Sequence, residues 1–431
     1  MIDHEKVRQN LDLYRQAIND KRLPLDLDNW LAVLAEHNRL KAEVDALRAQ
    51  RNKLSEAVAL LPKDDGAFGG REQIIEQGRA LGRTLGAAEE RLRQVAKTLH
   101  ELDALMPGLP QEEVPAGFCD DDNLELRRVG AIVVGAADAP FKDHLELMEM
   151  HHMLDLGLRD LAGSRAYALT RLGALLELAV LRMAFDFVCA RGFTPVLPPL
   201  MVKAEAMFGT GYFPLGEENA YELERDGLFL TGTAEVGMVA MMAQRLFDGS
   251  ELPVRLVGMS PCFRREAGSA GRDVRGLYRV HQFQKVEQVV FCADDAELIE
   301  AEHLALLKNA EDILQALELP YRVVRVCRGE MGLGQVLKHD IETWMPSRKG
   351  YGETHSCSTF GDFQARRLNI RYRDGGLKRY VCTLNNTAIA SPRILIALLE
   401  NHQRKDGTIY VPPALRPYLG GIEECITVPL A

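Results

Sequence analysis

A chain of 431 residues exceeds one ordinary core and is expected to form two domains, and a hydrophobic share of 47% is enough to fill them. The formal net charge of −10 excludes a protein that coats nucleic acid non-specifically, because such a surface needs a large excess of Lys and Arg. It leaves room for a nucleic-acid substrate held by local basic clusters. No apolar run approaches the roughly 20 residues that span a bilayer, so neither a membrane nor DNA is expected as a partner. The charged start MIDHEKVRQN carries no signal peptide, and the eight cysteines (Cys119, Cys189, Cys262, Cys292, Cys327, Cys357, Cys382, Cys425) form no CxxC pair and no finger-like spacing with His. Reduced thiols in a cytoplasmic protein without a zinc site are the expectation.

The first periodic segment runs through Leu40, Val44, Leu47, Arg51, Leu54, Val58 and Leu61, in steps of four and three that draw one stripe along a helix. After the turn-forming stretch Pro62 to Gly70, a second stripe follows Leu81, Leu85, Ala88, Leu92, Val95, Leu99, Leu102 and Met106. Two such helices joined by one turn make an antiparallel coiled-coil hairpin. With on the order of 30 residues each, they predict an arm roughly 45 Å long. Arg71, Arg79, Arg83, Arg91 and Arg93 suit a phosphate backbone, but acidic residues alternate with them as on any solvated face. Charge pattern alone leaves a nucleic-acid arm and a dimerisation coil both open. Pro107, Pro110 and Pro115 end the second helix, since proline cannot donate the helical hydrogen bond. The arm is therefore assigned to residues 1–115 and a second domain to 116–431.

From about residue 120 helical runs (Thr170 to Arg191, Asp294 to Leu317) mix with strand-like ones (Tyr321 to Val326, Leu368 to Tyr372, Tyr380 to Leu384). Regular strand-helix alternation is missing, which favours an α+β domain on an antiparallel sheet. There is no GxxxxGK[ST] loop and no GxGxxG after a strand, so a nucleotide would not be held by a glycine loop. The segment FRREAGSAGRDVRGLYRVHQFQKVE, Phe263 to Glu287, reads as a hairpin: strand-like FRREAG, a Gly- and Arg-rich loop, then strand-like HQFQKVE. Alternation puts Arg264 and Glu266 on one face of the first strand, and Phe283, Lys285 and Glu287 on one face of the second. Two cations, an aromatic ring and two carboxylates line a site rather than an apolar core, where unpaired charge is costly to desolvate.

This segment resembles motif 2 of the class II aminoacyl-tRNA synthetases, in the form found in the seryl-tRNA synthetase family. Further matching segments arrive in order: Thr231-Gly232-Thr233-Ala234-Glu235, then Glu353-Thr354-His355-Ser356-Cys357-Ser358 with Asp362 to Arg367, then Leu384-Asn385-Asn386-Thr387 through Arg393 to Asn401. Gly192-Phe193-Thr194 to Pro198-Pro199 resembles motif 1, which in this family builds a homodimer interface, and the N-terminal hairpin resembles the family's tRNA-binding arm. The resemblance spans essentially the whole chain. It implies an antiparallel sheet flanked by helices, ATP as a substrate, Mg²⁺, serine, and tRNA(Ser) as acceptor, with tRNA(Sec) as a possible second acceptor. The chemistry suits the residue types: a carboxylate already ionised at pH 7 needs no general base to attack the α-phosphorus, only alignment and charge neutralisation.

By that resemblance Arg264 bridges the serine carboxylate and the α-phosphate, Phe283 stacks on adenine, and Glu266 with the Val280 backbone holds adenine and ribose. Arg265, Thr354 and His355 complete the expected ATP contacts. Arg393 faces the γ-phosphate, while Glu353 and Ser356 hold Mg²⁺, a hard cation that suits oxygen ligands. Serine selection falls to Thr233, Ala234, Glu235, Glu287, Asn385 and Thr387, whose polar groups would be left unpaired by alanine. Motif 3 reads Asn-Asn-Thr-Ala-Ile-Ala-Ser-Pro-Arg where many members have Asn-Gly-Ser-Gly-Leu-Ala-x-x-Arg, His355 stands where serine is common, and Glu330 replaces a common Asp. Two rival readings exist: a ligase that loads serine onto a carrier protein, whose relatives generally lack the arm, and a non-catalytic tRNA-binding paralogue. The presence of the arm opposes the first; the retention of Arg264, Glu287 and Arg393 opposes the second.

Overall fold

Two apolar stripes in one sequence leave each helix with a face that the other can cover. In the computed structural model, which describes residues 2–60, 70–132, 141–267, 276–422 and 425–426, the stripes lie on helices α1 (Leu27–Leu60) and α2 (Gly70–Ala104). The turn expected between Pro62 and Gly70 lies, but for Gly70, outside the described residues. Val44, Leu85 and Ala88 form the buried seam, with Leu47 and Leu92 packed against it. Ion pairs Arg48–Glu89 and Arg91–Glu36, both at 2.8 Å, join the helices. One index falls as the other rises, which is the signature of antiparallel packing. Leu54 and Val58 stay only half-buried, because a pair of helices has no third surface to cover them.

These helices belong to a unit spanning Met1–Met106, and Pro107–Ala431 forms the other. Trp30 is fully buried in the first unit, and its indole N–H donates to Asp103 Oδ1 at 2.8 Å. The second oxygen of Asp103 meets His4 Nε2 at 2.9 Å. Trp30→Phe keeps an aromatic ring in the core but removes part of the indole volume and strips a partner from a buried carboxylate. It is expected to cost about 1–3 kcal/mol, read as faster hydrogen exchange in α1 and α2 of the intact chain.

The second unit is built on an eight-stranded sheet. In chain order its strands are β1 (Leu124–Val129), β2 (Thr194–Val196), β3 (Val254–Phe263), β4 (Gln282–Cys292), β5 (Tyr321–Arg325), β6 (Leu337–Met345), β7 (Gly350–Gly361) and β8 (Cys382–Ser391). Their spatial order is β1-β5-β6-β7-β8-β4-β3-β2, antiparallel except where β2 joins β3. This is the α+β architecture expected from the missing strand-helix alternation.

One face of the sheet carries the main core. Val286 and Val290 of β4, Leu384 and Ala388 of β8, Cys357 of β7 and Ile341 of β6 pack there with helices α3 (Arg171–Cys189), α6 (Ala296–Ala316) and α8 (Arg393–His402). The opposite face is apolar only at one end, where Val289 and Phe291 meet α5 (Ala234–Ala240) and α7 (Phe363–Leu368). The rest of that face is polar and holds the site. A short helix, α4 (Ala204–Thr210), packs beside α5 and α7. Its approach depends on glycine: a Cβ on Gly209 would lie 2.3 Å from Leu368 Cδ2.

Several elements differ in extent from the sequence reading. Leu368 ends a helix instead of opening a strand, because Asn369 takes a left-handed conformation (φ 56°) and the chain becomes extended only at Arg371–Asp374. The stretch from Tyr380 to Leu384 is shared between strand Leu377–Tyr380 and β8. Among the described residues no helix is long and apolar enough to cross a membrane, and Cys119, Cys189, Cys262, Cys292, Cys327, Cys357 and Cys382 are free thiols.

Candidate active site

The hairpin read from Phe263 to Glu287 exists as β3 and β4, whose register runs from Phe263 opposite Gln282 to Val254 opposite Phe291. The Gly- and Arg-rich loop, residues 268–275, lies outside the described residues. Strand β3 stops at Phe263, short of the FRREAG reading, and Glu266 sits at φ 50°. Arg264 is nevertheless fixed: its N–H donates to His281 O at 2.9 Å, its Nε donates to Gly232 O at 3.2 Å, and its guanidinium lies 5.2 Å from the centre of the Phe283 ring. Arg265 is held through its backbone N–H to Asn219 O at 3.0 Å. The Glu266 carboxylate takes Arg279 at 3.3 Å, and Val280 is buried.

Strand β4 alternates as expected. Phe283, Lys285 and Glu287 share the polar face, while Val286 and Val290 enter the core. Lys285 Nζ is 2.5 Å from Glu287 Oε2, and Thr387 Oγ1 donates to the same oxygen at 3.5 Å from β8. Glu287 is only 2% exposed, and burial pushes its carboxyl up from the usual range despite Lys285 and Arg264. Thr233 caps α5 by accepting the Glu235 N–H at 3.3 Å, which turns Ala234 and Glu235 inward. Burial first, and then the charge of Glu287, raise Glu235 to about 7, opposed by hydrogen bonds from Gln364 and Asn385. Glu235, Glu287, Asn385 and Thr387 thus form one buried polar pocket beside Lys285.

The second cluster lies on β6 and β7. Glu353 and Ser356 are three residues apart, so strict alternation would send them to opposite faces. A bulge corrects this: Ile341 pairs with His355 but Glu342 with Glu353, leaving Thr354 as the extra residue. Glu353 and Ser356 consequently share the site face, where Ser356 stands opposite Asp340. Thr354 and His355 turn inward. The Thr354 hydroxyl bonds Thr343 Oγ1 at 2.7 Å, and His355 is 1% exposed, with Nδ1 on Thr354 Oγ1 at 2.8 Å. Burial lowers His355 to about 4, so it is neutral at pH 7. Its side chain is therefore a core group behind the polar face.

Arg393, at the start of α8, donates through Nη1 to Glu353 O at 2.9 Å and to Glu353 Oε2 at 3.3 Å, and through Nε to Tyr278 O at 3.0 Å. It also stacks 4.4 Å over Tyr278, whose ring meets Arg348 at 4.2 Å. Sequence reasoning missed Lys338 and Asp340. Their ion pair, 2.9 Å, lies beside Glu353, and the 7% exposed Asp340 keeps its Oδ1 without a hydrogen-bond partner. An alternating Lys-x-Asp shortly before the Glu353–Ser356 segment, with which its strand pairs, was the available signal. Among the described residues no three His, Cys, Asp or Glu side chains converge into a ready metal cage. The donors present, Glu353, Ser356 and the open oxygen of Asp340, fit Mg²⁺ instead, which takes one or two carboxylates and completes its shell with phosphates and water.

Comparison with known proteins agrees with this geometry. Residues 1–110 match the family described as "Seryl-tRNA synthetase N-terminal domain", and residues 221–402 match "tRNA synthetase class II core domain (G, H, P, S and T)". The serine--tRNA ligase of Deinococcus radiodurans is 48% identical over 425 residues, covering 98% of both chains. That of Thermomicrobium roseum is 41% identical, over 98% of this chain and 94% of its own. Among solved structures, the seryl-tRNA synthetase from Pyrococcus horikoshii complexed with ATP superposes with a TM-score of 0.90 at 34% identity, covering all of both chains. The cytoplasmic serine-tRNA ligase from Naegleria fowleri in complex with AMP gives 0.83 at 26% identity over 96% of each.

Proposed function

The chain belongs to the seryl-tRNA synthetase family, and from that premise we propose how its residues divide the work of a serine–tRNA ligase. The activity consumes ATP and serine and charges tRNA. The observation that carries the assignment of roles is the pocket of Glu235, Glu287, Asn385 and Thr387, lying on the same sheet face as Arg264, Phe283 and the Glu353–Arg393 pair.

The serine ammonium pairs with Glu235, and its hydroxyl is read by Glu287, Asn385 and Thr387. Thr233 and Ala234 set the pocket wall. The serine carboxylate meets Arg264, which also takes a non-bridging oxygen of the α-phosphate. The carboxylate oxygen attacks the α-phosphorus, the bond to the bridging oxygen breaks, and pyrophosphate leaves with its electron pair. Arg393 holds the departing end, and Phe283 carries the adenine with help from Glu266, the Val280 backbone and Arg265. Thr354 and His355 act from behind, through backbone groups and packing. Glu353 and Ser356, with Asp340 opposite, would hold Mg²⁺, whose contribution is to offset phosphate charge. In the second step a ribose hydroxyl of the terminal adenosine of tRNA attacks the seryl carbonyl, and AMP leaves.

The helical hairpin of α1 and α2 serves as the arm that holds tRNA(Ser). Arg79, Arg83, Arg91 and Arg93 are exposed and already engaged by carboxylates, as Arg93 is by Glu90 at 2.6 Å, so phosphates would exchange for existing partners. Activity on tRNA(Sec) follows only from family habit. A homodimer is supported by Leu175 and Leu178 on α3 and Leu197 beyond β2, large apolar residues left exposed around motif 1. A cytoplasmic location fits the family.

Serine-dependent ATP–pyrophosphate exchange and seryl transfer to tRNA test the reading together. Removing residues 30–106 is expected to leave exchange intact and lower tRNA charging by about tenfold to a hundredfold, through lost phosphate contacts. Absence of exchange in the intact chain would sink the catalytic assignment. Exchange without charging of tRNA by the intact chain would favour a carrier-protein acceptor, and equal charging by both forms would remove the role of the arm.

A further inference from the structure

The segment Asp362 to Arg367 has no part in the chemistry described so far, yet it reaches the serine pocket from the side opposite the hairpin. Helix α7 places Gln364 with 1% exposure between α4, α5 and β8. Its Nε2 is 2.8 Å from Glu235 Oε1 and 3.1 Å from the backbone oxygen of Thr210. Its Oε1 is 2.6 Å from Thr383 Oγ1. The orientation of this amide is forced. A backbone carbonyl and a carboxylate can only accept, so the end facing both must be the NH₂ group, and the Thr383 hydroxyl must then donate to Oε1. The other oxygen of Glu235 takes the Tyr212 hydroxyl at 3.4 Å.

The rest of the segment secures that arrangement. Arg367 donates to Phe208 O at 3.0 Å, and its guanidinium lies 4.6 Å from the Phe208 ring and 4.0 Å from Phe363. It thus ties α7 to the end of α4, from which Thr210 and Tyr212 approach Glu235. The backbone there needs glycine: Gly211 has φ 89°, and a Cβ on it would fall 2.9 Å from Phe363 Cε1.

We infer that Gln364 is a positioning residue for serine: it aims the Glu235 carboxylate at the ammonium group and, as a donor, favours the form that can pair with it. This rests on the serine-activating reading above. The groups that face Glu235 are Tyr212 after α4, Lys285 and Glu287 on β4, Gln364 on α7 and Asn385 on β8, with Cys262 and Arg264 near Tyr212. Of these Glu287 disfavours a second negative charge, while Lys285 and the neutral donors Gln364 and Asn385 favour it. Glu235 stands near neutrality at about 7, so loss of either donor moves its titration upward and leaves more of it protonated at pH 7. A protonated carboxyl cannot form the ion pair.

The test measures KM for serine and for ATP by pyrophosphate exchange, from about pH 6 to about pH 9, in the intact protein, Gln364→Met, Glu235→Gln and the double variant. Gln364→Met is expected to raise the serine KM about tenfold near pH 7, with the ATP KM changed less than about twofold. The acid limb of the serine dependence should move to higher pH, and the substitution should add nothing in the Glu235→Gln background. An unchanged serine KM, a parallel rise in both KM values, or an additive effect in that background would overturn the role of Gln364 alone. Should Gln364→Met fail to fold, Gln364→Glu, nearly isosteric but without the NH₂ donor, carries the same expectation. No exchange by the intact protein would remove the serine-activating reading itself, and this inference with it.

Discussion

Arg264→Ala is expected to lower serine-dependent ATP–pyrophosphate exchange by about 10² to 10³ or more while leaving the fold intact. The guanidinium is only partly buried, its side-chain hydrogen bond goes to one backbone oxygen, Gly232 O, and Glu287, whose charge it favours, keeps its ion pair with Lys285, so its removal leaves no buried charge unpaired. What is lost is charge neutralisation between a carboxylate and an α-phosphate that repel each other in the ground state and crowd further during attack. Arg264→Lys should recover little of the rate, because one ammonium cannot span two oxyanions as a planar fork does. Steady-state exchange together with a melting curve checks both statements. A variant that melts normally and keeps more than about a tenth of the exchange rate would show that Arg264 does not bridge the reacting groups.

The route to Arg264 also shows what the sequence could and could not reveal. The period-two pattern of Phe283, Lys285 and Glu287 was enough to place three side chains on one face, because β4 is regular there. The heptads of the arm were equally legible, since each stripe follows one continuous helix. Simple alternation failed where the backbone departs from it. Arg264 follows the end of β3, and Glu266 has a left-handed φ, so their positions depend on bonds to His281 and Asn219. Glu353 and Ser356 share a face only because of the bulge at Thr354, which no residue pattern announces. Gln364 lies 129 residues from its partner Glu235, a pairing that only the packing of α7 against α4 and α5 creates. The family resemblance named most of these residues without explaining how they meet.

The same bulge sends His355 into the core, and with His303 and His339 it leads to a prediction about acid stability. His303 of α6 and His339 of β6 lie behind the polar face, with His303 Nε2 2.8 Å from His339 Nδ1. Their tautomers follow from the ends of the chain. Arg325 Nε–H points at His339 Nε2 at 3.4 Å and can only donate, so the proton of His339 sits on Nδ1. That proton goes to His303 Nε2, and His303 Nδ1–H then donates to Thr359 Oγ1 at 2.8 Å. Every site is filled with both rings neutral, and an added proton would set two N–H groups against each other. Burial accordingly lowers His303 to about 4, burial together with His303 and the neighbouring arginines lowers His339 to about 3, and burial alone lowers His355 to about 4 against the pull of Glu353. In the unfolded chain each titrates near the ordinary value of 6.5, so between that value and about 4 the unfolded state binds more protons. Stability is therefore full above pH 6.5 and falls as pH drops. At pH 5 the loss should be about 2 kcal/mol per histidine, or about 6 kcal/mol for the three. Hydrogen exchange of β6 and β7 at pH 7 and pH 5 reads this within the catalytic unit. Replacing His303→Gln and His339→Asn together keeps donors and acceptors but removes two titrations, and should cut the acid-dependent part of the loss by about 4 kcal/mol even if stability at pH 7 declines. An equal acid loss in the variant and the unmodified chain would mean that the two rings bind protons as readily in the folded state as in the unfolded one.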